Sequence, residues 1–282
     1  MGKKRILYVS QEISPYTKEN KRSNFCMNLP QVVQENDNDI RIFMPKFGTI
    51  NERRHQLHEV IRLSGMNLII DDFDHQLIIK VASVQQSRMQ VYFIDNEEYF
   101  PKRHYLNDLE GNFMQNNDER MMFFCKGVIE TVKKLGWAPD IIHCNGWFSA
   151  LVPMYIKKLY NKDPMFSNTK IYYTVFDNPF SGDLNNSLSE KLLFEDLQDK
   201  DVEMIGNPTF DNLNKFAISY SDAVVLGSKK LSKNLLNFTK NNNIPVLVKT
   251  DDDNFEEQCL SFYDSTEKTK KTKKNKQLVE VV

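Results

Sequence analysis

The sequence predicts an α/β protein built on a doubly wound, mostly parallel sheet with a β-hairpin insertion. Three observations carry that reading. Apolar runs of strand length recur along the chain, and most are separated by stretches of helical period. The first run opens abruptly at Arg5 and stays apolar, as a strand buried on both faces does. Hydrophobic residues make up 40% and aromatic residues 11% of the 282 residues, enough for a substantial core.

The elements follow in order. Arg5 to Ser10 reads as a strand, and Gln11 to Arg22 as a polar loop. A helix from about Ser23 carries Phe25, Met27, Leu29, Val32 and Val33, and Pro30 should kink it or end it early. Asp39 to Met44 is a second strand, completing a β-α-β unit with a right-handed crossover. Leu77 to Val84 and Arg88 to Asp95 read as a hairpin joined by Gln85, Gln86 and Ser87, with Asp71, Asp72 and Asp74 in a solvated turn before it. Glu97 to Met114 has no clean period. The strongest helix signal follows, with Met121, Met122, Cys125, Val128, Ile129 and Val132 on one face, Asn117 or Asp118 as cap and Gly136 as stop. Then come a strand at Asp140 to His143, a helix at about Phe148 to Leu159, a strand at Lys170 to Val175 and a helix at about Phe210 to Tyr220. A strand at Ala223 to Leu226 and a last helix, capped by Ser228 and reaching Phe238, close the pattern. Residues 1–249 are expected to form the folded domain and 250–282 a disordered charged tail, with six lysines between Lys268 and Lys276.

Composition excludes several function classes. Lys plus Arg is 37 and Asp plus Glu 38, a net charge of -1 that excludes a large electrostatic footprint for nucleic acid but not a local basic patch. No apolar run reaches the ~18 residues of a membrane span, and the start lacks a signal peptide's pattern, so a cytoplasmic protein without membrane contact is expected. Cys26, Cys125, Cys144 and Cys259 form no C-x-x-C and read as small buried hydrophobes. His55 and His58 stand three apart without a third ligand, so no metal site is expected.

Phosphate loops are absent. The loop after the first strand, Gln-Glu-Ile-Ser-Pro-Tyr-Thr-Lys-Glu-Asn-Lys-Arg, contains no glycine to let a phosphate approach the backbone. Lys18, Lys21 and Arg22 remain as point charges for an anion, or as a solvated basic loop. His143 ends a predicted strand and is followed by Cys144, Asn145, Gly146 and Trp147, at the sheet edge where open α/β folds bind ligands. It is either a donor to a substrate hydroxyl or a satisfied histidine at a turn.

Taken in order, these segments resemble the glycogen and starch synthase family. The first strand followed by Gln-Glu-Ile-Ser-Pro-Tyr-Thr-Lys resembles the family's start, where the strand runs into S-E-x-x-P-x-x-K-T-G-G-L. Asp39 to Pro45 matches D-V-R-V-x-x-P, and Ala138 to Leu151 resembles R-P-D-x-x-H-x-H-D-W-H-[TA]-x-L. Tyr173 to Asn178 falls where the family has T-x-H-N, and Ser221 to Val225 where it has A-D-x-x-x-x-V-S. The match is collinear from about Arg5 to Leu236, and the chain looks most like the short single-domain variant of the Bacteroides type.

The resemblance implies half of a two-Rossmann-domain glycosyltransferase fold, the amino-terminal half on the glucan-acceptor side. It implies ADP-glucose as donor, α-1,4-glucan as acceptor and no further cofactor. It places Lys18 at the nucleotide sugar and leaves His143, Asn145, Trp147 and Asp177 as candidate remnants of a sugar site. No residue is assigned a catalytic role. The family's T-G-G is Glu19-Asn20-Lys21 here, the D-W-H aspartate and histidine are Gly146 and Phe148, and the T-x-H-N histidine is Phe176. Together with the absent second domain, these departures imply a degenerate transferase, a pseudoenzyme by itself, unless a protein partner supplies that domain. The alternative is a non-catalytic module that binds glucan or a protein and regulates storage-polysaccharide metabolism.

Overall fold

Strand β1 (Arg5–Ser10) is apolar on both faces from Ile6 to Val9, so its residues escape water only inside a covered sheet. The computed structural model describes residues 3–84, 87, 89–180, 182–249 and 254–266, and it places β1 at the sheet's centre. Helix α1 (Lys21–Glu35) leads to β2 (Asp39–Pro45), parallel to β1 in the register Arg5 to Asp39. Pro30 does not end α1, contrary to expectation. Leu29, Pro30 and Val33 are buried, and their packing outweighs one lost backbone hydrogen bond.

Next come β3 (His58–Glu59), β4 (Met66–Ile70), β5 (Phe73–Ser83) and β6 (Gln90–Asp95). β5 and β6 form the expected antiparallel pair, but the pair is no appendage: β6 also runs parallel to β2 as a strand of the main sheet. Asp71 and Asp72, both at positive φ, turn the chain between β4 and β5. The expected hairpin turn at Gln85 and Gln86 lies outside the described residues.

Helix α2 (Asn117–Lys134) packs Gly127 against Ile94 and Leu77. Asn116, not Asn117 or Asp118, occupies its cap position, without a side-chain hydrogen bond. Gly136 ends it at φ +62°. Strand β7 (Ile141–Asn145) follows, then a single 3₁₀ turn at Trp147–Ser149 and α3 (Val152–Lys158), where one continuous helix was expected. The remainder is β8 (Lys170–Val175), α4 (Leu188–Leu193), α5 (Asp199–Val202), α6 (Phe210–Ser219), β9 (Ala223–Leu226), α7 (Lys233–Asn241) and β10 (Val246–Val248). Ser232 caps α7, while Ser228 accepts a hydrogen bond from the Asp177 N–H instead.

The sheet order is β10-β9-β8-β7-β1-β2-β6-β5-β3, with β4 also paired to β5. Pairing is parallel from β10 to β6 and antiparallel beyond. The strand order reverses about β1, so a crevice opens between the carboxyl ends of β1 and β7.

The disordered tail expected from 250 is corrected over 254–266. Residues 255–266 form a helix, α8, that buries Phe255, Cys259 and Tyr263. Residues 250–253 and 267–282, with the lysine run, lie outside the described residues. All four cysteines are buried and free. Among the described residues no helix is long and apolar enough to cross a membrane.

Candidate functional site

The crevice holds a cavity of about 570 Å³, within the range of small-ligand sites. Five loops at the sheet's carboxyl edge line it, the one after β2 through Thr49. The loop after β1 contributes Gln11, Glu12, Lys18 and Asn20, the long loop before α2 contributes Tyr105 and Leu106, the turn after β7 contributes Trp147, and the segment after β8 contributes Asn178 and Phe180. Gly146 makes the turn after β7 possible, because it sits at φ +82°, a backbone conformation that residues with a Cβ rarely adopt.

Trp147 is buried and packs edge-on against Phe180, with ring centroids 4.9 Å apart. Phe180 is half-buried and stacks on Phe113 at 5.5 Å. Phe148 is fully buried between Phe47 and Phe124. Phe176 is buried too, against Phe25 and Gly227. The two aromatic replacements have thus joined the core, and the cavity's aromatic lining is Tyr16, Tyr105, Trp147 and Phe180.

The loop after β1 is closed on itself. Asn20 Oδ1 accepts the backbone N–H groups of Arg22 and Ser23 at 2.8 and 3.0 Å, and Ser23 Oγ accepts the Asn20 N–H at 2.9 Å. This is a complete capping box at the start of α1. Asn20 Nδ2 donates to Glu12 Oε2 at 2.8 Å, and Arg22 Nε donates to Glu12 Oε1 at 2.6 Å. A phosphate at a helix N-terminus would need those same backbone donors. Lys18 stands exposed at the mouth as a cation.

Two residues that line the cavity, Gln11 and Asn178, carry buried acceptors, Oε1 and Oδ1, without hydrogen-bond partners among the described residues. Such atoms cost stability unless a ligand or solvent donor reaches them. Burial pushes the Tyr16 phenol up to about 12 and the Tyr105 phenol higher still, so both remain neutral hydroxyl donors.

The sequence candidates separate. Lys18 and Trp147 meet at the cavity. His143 does not line it. Its ring is fully buried, with Nδ1 2.5 Å from Tyr263 Oη and Nε2 2.6 Å from Thr174 Oγ1. Asn145 is buried behind the turn, donating to Ser10 Oγ at 3.2 Å. Asp177 is exposed and held through its backbone by Ser228. The reading of single residues missed Gln11, Glu12, Tyr105, Asn178 and Phe180 as lining residues. Asn20 was legible in one respect, since Asn followed three residues later by Ser before an apolar run is a capping pattern. Tyr105 lies in a stretch without period and carried no signal. Among the described residues no group of three or more His, Cys, Asp or Glu side chains could hold a metal ion.

Comparison with known proteins places this architecture. Residues 5–248 match the family model described as the starch synthase catalytic domain. The chain is 38% identical over 194 residues to the glycogen synthase of Chlorobium limicola, covering 68% of this chain and 40% of that protein. It is 34% identical over 235 residues to the glycogen synthase of Chlorobium phaeobacteroides, covering 80% and 48%. The chain therefore spans less than half the length of these curated relatives. In fold it is similar to the catalytic domain of starch synthase IV from Arabidopsis thaliana bound to ADP and acarbose, with a TM-score of 0.67, 20% identity, and coverage of 90% of this chain and 53% of that one.

Proposed function

Because the chain belongs to the starch and glycogen synthase family, we propose that it is a glucan-recognising half of a glucosyltransferase. In this reading the crevice between β1 and β7 takes the end of an α-1,4-glucan, and the donor half of the chemistry is weak or lost in these 282 residues alone.

One observation carries this reading: the Asn20 side chain occupies the backbone donors at the start of α1 that a diphosphate would need. Glu12 and Glu19 add negative charge beside them. Sugar hydroxyls meet no such obstacle. They can donate to Gln11 Oε1 and Asn178 Oδ1, and a sugar's apolar face can lie on Phe180. Lys18 is the cation left to meet an ADP-glucose phosphate, as a point charge only. Losing one positioned electrostatic group costs roughly 10²–10³ in rate. Transfer thus requires a second domain, beyond these residues or on a partner chain, to form the opposite wall and exclude water.

A second reading, a non-catalytic regulatory module binding glucan or protein, is favoured by Phe148 and Phe176. Both stand where the resemblance places histidines, and both are buried in the core.

Calorimetric titration with a maltooligosaccharide, with and without ADP-glucose, tests the proposal. The expected result is saturable glucan binding that falls in Phe180→Ala, with weak ADP-glucose binding lost in Lys18→Ala. Absence of glucan binding by a folded sample would sink the glucan reading. Tight ADP-glucose binding would sink the account of the donor loop.

A further inference from the structure

Tyr16 is a wall between two cavities. One is the crevice; the other, on the opposite side of the loop after β1, has a volume of about 550 Å³. Its lining is unlike the crevice's. Arg54, His55 and His58 contribute nitrogen donors, Ser14 and Ser83 contribute hydroxyls, and no carboxylate lines it among the described residues.

The local fold explains this charge pattern. Residues 51–57 form a tight turn, held by His55 N–H to Asn51 O at 3.1 Å and Leu57 N–H to Glu52 O at 3.0 Å. Glu52, the carboxylate of that turn, is committed elsewhere: it pairs with Lys46 at 2.6 Å and with Lys80 at 2.9 Å. Arg54 is left exposed with no ion pair among the described residues. Glu59 neighbours His58 on β3, where successive side chains point to opposite faces. His55 packs edge-on against Tyr16 at 5.0 Å, so the ring that lines this cavity braces the wall of the other.

We propose that this second cavity binds a small phosphomonoester, its phosphate held by Arg54 and the ring N–H groups of His55 and His58, its uncharged body lying against Tyr16. A guanidinium and two imidazoles lining one cavity, without a carboxylate among its described lining residues, suit a dianionic, oxygen-rich group. The volume exceeds what a bare phosphate fills and accommodates a monosaccharide body. Burial and Arg54 hold the His55 pKa below its ordinary value, so a bound phosphate would draw it upward. Tyr16 is tied to Ile13 by a backbone hydrogen bond of 3.0 Å and lies two residues before Lys18, so occupancy braces the loop that carries the crevice's cation.

The test follows the His55 and His58 ring resonances by NMR while the full chain is titrated with ribose 5-phosphate, inorganic phosphate and ribose at constant ionic strength. The expected result is saturable shifts of both rings with ribose 5-phosphate, weaker saturation with inorganic phosphate and no response to ribose. Arg54→Ala should weaken ribose 5-phosphate binding roughly tenfold, the loss of one charge-assisted hydrogen bond. Arg54 is exposed, so the variant keeps its fold. Lys18→Ala, in the crevice, should leave the shifts unchanged. The proposal is overturned if neither ring saturates, if ribose acts like its phosphate, if inorganic phosphate binds as tightly, or if Lys18→Ala rather than Arg54→Ala removes the response. The readout needs no glucan and no transfer, so its outcome is independent of the crevice's function.

Discussion

His143 Nδ1 lies 2.5 Å from the hydroxyl of Tyr263, a residue 120 positions further along the chain. The contact ties α8 to the centre of the sheet and sets the histidine's role. Tyr8 Oη stands 3.4 Å from the same hydroxyl, and Thr174 Oγ1 takes the other ring nitrogen at 2.6 Å. Every polar atom of the imidazole is used inside the core. Tyr263→Phe strands His143 Nδ1 in a buried site, and an unsatisfied buried polar atom costs about 1–3 kcal/mol. Urea denaturation should show that loss, while glucan affinity of the folded fraction stays unchanged.

Burial also pushes the His143 pKa down to about 3. In the unfolded chain it titrates near the ordinary ~6.5. Between those values the unfolded chain holds a proton that the folded chain lacks. Stability from this group is therefore intact above about pH 6.5 and falls as the pH drops toward 3. From pH 7 to 5 the loss is about 2 kcal/mol. The difference in unfolding free energy between those two pH values should be smaller by about that amount in His143→Gln. An unchanged difference would mean that the ring is hydrated or charged in the fold.

Asn20→Gly removes the side chain that fills the start of α1. A glycine there costs only a few tenths of a kcal/mol in capping. It frees the Arg22 and Ser23 N–H groups and takes one partner from Glu12. ADP binding, read by calorimetry, should strengthen relative to the unsubstituted chain. Unchanged or weaker binding would show that the cap is not what keeps a diphosphate out.

Gly227 is the space that Phe176 occupies. A Cβ on Gly227 would stand 2.6 Å from Phe176 Cε1 and 2.8 Å from Thr174 Cγ2. Gly227→Ala should destabilise by about 1–3 kcal/mol through overpacking. Phe176→Leu in the same chain should recover part of it, a coupling that a double-mutant cycle in denaturant measures. Additive losses would place the clash elsewhere.

Arg120 is fully buried without a carboxylate partner among the described residues. Its Nε and Nη2 donate to the Tyr99 and Tyr105 carbonyls, each at 2.6 Å, and Nη1 donates to Asn117 Oδ1. Phe47 and Phe100 cover its faces, with ring centroids 5.5 and 5.4 Å away. This one side chain organises the irregular loop that carries Tyr105 and Leu106 to the crevice. Arg120→Met leaves two buried carbonyls unpaired and should cost about 3 kcal/mol. Limited proteolysis within residues 101–116 should accelerate in that variant; equal rates would show that the loop is held by its aromatic packing instead.

The alternation of the main strands and helices, β1, α1, β2, β5, β6, α2, β7, β8, α6 and β9, was legible in the amino-acid sequence, because those signals are local. Runs such as Ile6–Val9 and Ala223–Leu226 are apolar on both faces, and α2 carries its stripe at helical spacing. The collinear motifs likewise pointed to the family, through their order and spacing along the chain. Lys18, singled out by resemblance, and Trp147, which follows β7, both line the crevice. Long-range packing set the rest. Pro30 stays in α1 because burial on both sides of it exceeds a local propensity. The stripe of Phe255, Cys259 and Tyr263, spaced by four, is present in the sequence but lies amid charged residues, and only docking on Tyr8, His143 and Tyr172 makes it a helix of the fold. That docking turns His143 from a candidate sugar ligand into a core residue. A histidine at a strand's end has two faces available to it, and which one it takes depends on a partner more than a hundred residues away.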